Sequence, residues 1–203
     1  MRIAEELRHG LRRYDLAELD AQNGAIYGVD ADFRLSFFND TWFQFAEENG
    51  GEPAITTEWP LGRPVLECVP SVLIAFYENA YGSCLDAATP WKHEYECSSA
   101  ARYRRYHQIV YPLDERTGLL IVNSLVVDRP HDPAERVAVA APNLDDYLDA
   151  DGLLCQCSHC RRVQHGRDAD RWDWVPAWVT KFPKRTSHGV CPPCFRFFYP
   201  IGR

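Results

Sequence analysis

The stretch AIYGVDADFRLSFFNDTWFQFAEENGG, residues 25–51, decides how the rest of the chain is read. An apolar run from Ala25 to Val29 turns through Asp30–Asp32 into a second short run, Leu35 to Phe38, which ends at Asn39–Asp40. A β-hairpin is the simplest reading of two short apolar runs punctuated in this way. Trp42, Phe43, Phe45 and Ala46 then follow helical spacing behind an Asn or Asp cap, and Asn49–Gly50–Gly51 supplies a left-handed stop.

Working outward, Ile3, Leu7 and Leu11 recur at i, i+4 spacing with charges between them, which predicts an N-terminal amphipathic helix over 1–20. Downstream, the proline-rich segment 52–70 reads as irregular chain with one turn at Val65–Cys68. Leu73, Phe76, Tyr77, Ala80, Tyr81 and Cys84 predict a full-length helix from Ser71 to Asp86. Three strand-like segments follow, Trp91–Ser98, Tyr103–Leu113 and Leu119–Val127, and predict an antiparallel meander. Segregated strands and helices give an α+β class: one antiparallel sheet of five strands with helices on one face. Residues 130–153 read as a linker with a short helix at Leu144–Leu148.

The chain has 203 residues, 46% hydrophobic, 25% charged and 13% aromatic, with six Trp. These fractions suit a globular fold of one large or two small domains and exclude a collagen, a simple coil or a disulfide knot. No run approaches the roughly 18 apolar residues of a membrane span, and MRIAEELRHGLRR is no signal peptide, so no membrane partner and a cytoplasmic location are expected. The net charge of -7 conceals a split: residues 1–154 hold 13 Lys+Arg against 26 Asp+Glu, whereas 155–203 hold 9 against 3. Five of the eight cysteines crowd into that basic segment, so 154–203 reads as a separate module.

The residues quoted at the outset resemble the opening of a PAS domain. LGRPVLECVP resembles the segment before its long connector helix, and YECSS, RRYHQIVYPL and GLLIVNSL resemble its last three strands. The likeness spans roughly 20–129 and implies a sensor domain over 21–129 that binds a small molecule or a partner protein. CSHCRR and SHGVCPPC are similar to a cysteine-rich tail that follows such domains in uncharacterised bacterial proteins.

Cys157-x-x-Cys160 and Cys191-x-x-Cys194 are two knuckles separated by thirty residues. A C-x-x-C turn offers two sulfurs to one ion from a single bend, so paired knuckles make one closed tetrahedral site, and zinc is the expected ion. Reduced core thiols, local disulfides, iron or a redox-switched thiol pair are the alternatives. Cys155 could replace a neighbouring ligand. His188 is read as a cap or an outer contact before a direct ligand, and Arg161, with Arg162, is expected to offset thiolate charge. His159, inside the first knuckle, is expected to face solvent. Trp172, Trp174, Trp178 and Phe182 predict a small strand and helix over the site.

Alternation along Trp91–Ser98 puts Trp91, His93, Tyr95 and Cys97 on one face and Lys92, Glu94, Glu96 and Ser98 on the other. Trp91, His93, Tyr95, Tyr103, Arg105 and His107 are the candidate ligand-pocket residues. His93 and His107 are read as hydrogen-bonded core histidines before haem ligands, and Cys68 as a small buried hydrophobe, since the flavin-binding context around it is lacking. Haem and flavin are thus less favoured occupants. No G-x-S-x-G, Walker loop, H-E-x-x-H or dinucleotide fingerprint occurs, so a non-enzymatic signalling module is expected. The partners expected are a signalling protein, a small molecule and, through Ile3, Leu7 and Leu11, a second copy of the chain. The rivals are a nucleic-acid-binding zinc protein using the basic tail with Trp172 and Trp174, and a thiol redox sensor.

Overall fold

The N-terminal segment folds in pieces and not as the single helix predicted over 1–20: strand β1 (Arg2–Ile3), helix α1 (Glu5–Arg8) and helix α2 (Leu16–Asp20). The predicted hairpin is present as β2 (Ala25–Asp30) and β3 (Leu35–Phe38). Asn39 ends it and caps α3 (Asp40–Glu48): its Oδ1 accepts from the Trp42 amide at 3.1 Å and from the Ile26 amide at 2.9 Å. One side chain thus stops a strand, starts a helix and ties the helix back to the sheet. Next come α4 (Ala54–Glu58), a short 3-10 turn at Val65–Cys68 and the long α5 (Ser71–Ala87). The meander is β4 (Trp91–Glu96), β5 (Arg102–Pro112) and β6 (Gly118–Pro130).

The sheet has the five expected strands plus β1 at its edge, in the order β1-β3-β2-β6-β5-β4. Tyr27, Val29, Phe38, Leu119 and Ile121 pack with Tyr81 and Cys84 of α5. Their alternates Ile26, Phe37 and Leu120 pack with Leu7 and Leu11. Helical segments therefore cover two faces, not the one expected, which is why all four residues of β3 are buried. Gly28 is what admits the N-terminal segment: a Cβ there would stand 2.8 Å from Leu7 Cδ2 and 3.0 Å from Phe37 Cβ.

The computed structural model describes residues 1–200. Positions 201–203, at the end of the predicted 154–203 module, lie outside the described residues. The chain divides into two compact units, one of Met1–Val69, Leu73–His93 and His107–Ser124, the other of Pro70–Val72, Glu94–Tyr106 and the chain from Leu125 onward. No helix among the described residues is long and apolar enough to cross a membrane.

The second unit carries a four-stranded sheet, in the order β10-β7-β8-β9, from β7 (Leu154–Cys157), β8 (Val163–His165), β9 (Asp168–Asp173) and β10 (Thr186–Gly189). Helix α6 (Pro176–Thr180) precedes β10, and α7 (Pro192–Phe198) follows it. The stretch 130–153 is not a linker, because its apolar residues complete this unit's core. Tyr147 is buried with Leu154, Val163 and Val175, and Val139 and Leu148 pack against them. Gly166 meets this stretch directly, since a Cβ there would lie 2.0 Å from the Leu148 carbonyl oxygen.

Candidate metal centre

Both knuckles arise where strands end side by side. Strands β7 and β10 run parallel, and Gly189 stands opposite Cys157. The first knuckle is the turn from β7 into β8, closed by the Cys157 amide donating to the Arg162 carbonyl at 2.8 Å and the Arg161 amide donating to the Cys157 carbonyl at 3.1 Å. In the second, Cys191 caps α7, whose Pro192 and Pro193 occupy first-turn positions that need no amide, and Cys194 follows one turn on.

The four cysteines converge. Their sulfurs all lie within 4.8 Å of one another, and all four residues are buried. Cys160 Sγ and Cys191 Sγ are 3.6 Å apart. A tetrahedron with metal–sulfur bonds of about 2.3 Å has edges of about 3.8 Å, whereas a disulfide bond is about 2.05 Å. The spacing fits four ligands around one ion. The Cys191 amide donates to Cys157 Sγ at 3.4 Å, and the hydrogen bonds among the four sulfurs lower the Cys157 thiol while raising those of Cys160 and Cys194.

The neighbours expected to assist are used otherwise. Cys155 and His188 stand outside the four-cysteine group. Cys155 pairs in register with Ser187, and burial pushes its thiol up. His188 pairs in register with Gln156 and packs edge-on to Phe182. Arg161 turns away from the sulfurs, donating from Nε to the Ser98 carbonyl at 3.1 Å and from Nη2 towards Cys97 Sγ at 3.6 Å. His159 does not face solvent: it is 5% exposed, with Nδ1 2.8 Å from the Glu96 carbonyl and Nε2 2.8 Å from the Tyr199 hydroxyl. Nδ1 must donate to a carbonyl, so Nε2 accepts from Tyr199, and burial pushes the pKa down towards this neutral tautomer.

Sequence alternation missed the surroundings of His159. Glu96 and Ser98, expected on the solvent side of β4, are 6% and 4% exposed because the knuckle loop covers them. Arg136, inside the supposed linker, donates from Nη1 to the Cys160 carbonyl and from Nη2 to Glu96 Oε1, each at 2.5 Å, and lies over Trp174 at 4.7 Å. Nothing in the sequence marks Glu96 as buried or Arg136 as its partner.

The candidate pocket residues are not brought together. Trp91 and His93 stack at 5.3 Å beside Phe76 and Tyr77. Tyr95 instead stacks on Tyr106 at 5.5 Å, Tyr103 lies under Arg129 at 4.7 Å, and Arg105 pairs with Glu94 at 3.5 Å. His107 is half-buried. An open cleft of about 500 Å³ lies beside α5, with Phe76, Cys84 and Trp91 among its apolar lining and Asn79, Ser83 and Thr89 supplying polar groups. Only Trp91 of the six expected residues lines it. Cys68 is exposed and not the buried hydrophobe expected, with its Sγ donating to the Val65 carbonyl at 2.9 Å.

No protein-family model and no curated protein matches the chain. Solved structures do. The PAS domain of an HTR-like protein from Haloarcula marismortui is 14% identical, 60% of this chain covering 100% of that chain at a TM-score of 0.35. The photoactive yellow protein domain of the sensor histidine kinase Ppr from Rhodospirillum centenum is 15% identical over 56% of this chain and 95% of that one, at a TM-score of 0.40. The VqmA dimer of Vibrio cholerae is 11% identical, and the match spans 55% of this chain and 50% of that chain at a TM-score of 0.40.

Proposed function

We propose that the chain is a cytoplasmic, non-enzymatic signalling protein in which a PAS-like domain binds a small molecule or a partner protein and four cysteines hold a structural zinc. The cleft beside α5 supports the sensory half: its volume of about 500 Å³ is that of a small-molecule site, with aromatic walls and few polar groups. A closed set of four buried cysteines supports the structural half. Such a set leaves no open position for substrate or water, so its ion holds the two knuckles together.

The nucleic-acid alternative loses its stacking platform. Trp174 is buried and Trp172 half-buried, with its Nε1 donating to the Ala169 carbonyl. Several cations of the basic segment are also engaged: Arg162 with the Glu135 carbonyl, Arg171 with Asp173, and Arg185 with the Asp151 carbonyl. Leu7 and Leu11 are buried within the chain and present no stripe to a second copy.

Metal analysis with an absorption spectrum of the purified protein tests this reading. One zinc per chain and no visible band are expected, whereas iron, haem or flavin would overturn it. A thermal-shift screen of small planar aromatics tests the cleft. Hits should stabilise the wild type and not a Ser83→Trp variant that plugs the lining, and equal shifts in both would move the ligand site elsewhere.

A further inference from the structure

The first knuckle does more than hold sulfurs. Its loop, residues 158–162, closes on the C-terminal end of β4 at several points. The Ser98 amide donates to the His159 carbonyl at 3.3 Å, and His159 Nδ1 donates to the Glu96 carbonyl at 2.8 Å. Arg161 donates to the Ser98 carbonyl at 3.1 Å. Arg136 bridges the Glu96 carboxylate to the carbonyl of Cys160, itself one of the four cysteines. The Glu96 carboxylate also accepts from the Ser98 hydroxyl. Both members of the Arg136–Glu96 pair are 7% exposed in their side chains, so the pair is not a surface contact that water could replace.

These bonds need the loop in one shape. Its own closure rests on two backbone hydrogen bonds, and its position relative to the second knuckle on the pairing of β7 with β10, on the Ser158 amide donating to the Gly189 carbonyl at 2.8 Å and on the clustered sulfurs. Without an ion no bonds join the sulfurs of the two knuckles, and only the backbone contacts remain to keep the loop in that shape.

We propose that the metal centre is a latch on the end of β4: ion held by the four cysteines keeps loop 158–162 gripping Glu96–Ser98, and loss of the ion releases that strand end. Metal occupancy is thereby read out at the edge strand of the larger sheet, with Arg136 as the positioning residue. The inference rests on the metal reading above and adds a regulated element to it.

Hydrogen exchange on the full chain, zinc-loaded and then stripped with a chelator, tests the latch. On stripping, the Ser98 amide should exchange about tenfold faster or more, while Val139, whose amide bonds to Trp174 in the same unit, and Tyr27, paired with Ile121, stay protected. The Arg136→Met variant should bind zinc stoichiometrically yet show fast Ser98 exchange even when loaded. Glu96→Gln, which keeps the shape of the side chain, should do the same to a smaller degree. Unchanged Ser98 protection after verified zinc loss overturns the latch and leaves the metal reading standing. Equal loss at Ser98 and Val139 also overturns it, because the unit is then unfolding as a whole. A chain that binds no metal fails at the loading step and overturns both readings.

Discussion

Gly189 stands opposite Cys157 across the parallel pair of β7 and β10, and two residues later the Cys191 amide reaches back to the Cys157 sulfur at 3.4 Å. Parallel pairing brings two segments far apart in sequence to the same end of a sheet. It thereby delivers one knuckle beside the other before any ion is added.

Removing one sulfur should therefore uncouple the two ends. Structural zinc contributes about 10–16 kcal/mol to the folding of small peptides. Cys160→Ser should lose stoichiometric zinc and lower the melting transition of the second unit without abolishing it, while the core around Val29, Leu119 and Ile121 keeps its own. Retention of full zinc and an unchanged calorimetric profile would show that Cys160 is not a ligand.

Gly166→Ala tests whether 130–153 belongs to the second unit. The new Cβ would collide with the backbone of Leu148, which a side-chain rotation cannot relieve, and the Gly166 amide bond to the Asp146 carbonyl at 2.8 Å would be strained with it. The expected loss is about 1–3 kcal/mol in denaturant unfolding. A neutral substitution would mean that this stretch is free to move aside.

Leu7→Ala should behave as a core truncation. Leu7 is fully buried beside Phe37 and Leu120, so the expected cost is about 2–5 kcal/mol, with no change of mass in light scattering. A variant that changes oligomeric state at unchanged monomer stability would return this stripe to an intermolecular role.

Acid should weaken the second unit through His131. Its pKa lies below the ordinary 6.5, chiefly because burial disfavours the cation, and Arg136 and Arg129 act in the same direction against opposing contributions from the Ser99 carbonyl and Glu96. Nε2 donates to that carbonyl at 2.8 Å. A depressed histidine gives stability that is complete above the unfolded pKa and is lost as pH falls through the folded one. Melting temperature should drop below about pH 6.5, and less steeply in His131→Gln, which can still donate to Ser99. His159 and His188 are lowered too and preserve part of the slope in that variant.

The sequence by itself determined the hairpin, the capped helix α3, the long helix α5, the meander and the four cysteines. Each is carried by a local signal: apolar alternation, an Asn cap, helical spacing, or two sulfurs on one tight turn. Only the tertiary structure decided that Leu7 and Leu11 cover a second face of the sheet, because the seat for Leu7 depends on a missing Cβ at Gly28, far along the chain. Likewise His159 reads as a solvent-facing turn residue and Arg136 as part of a linker until residues 96–98 are brought against them. Burial of a polar side chain is set by what arrives from elsewhere in the chain, and neither spacing nor composition encodes that arrival locally.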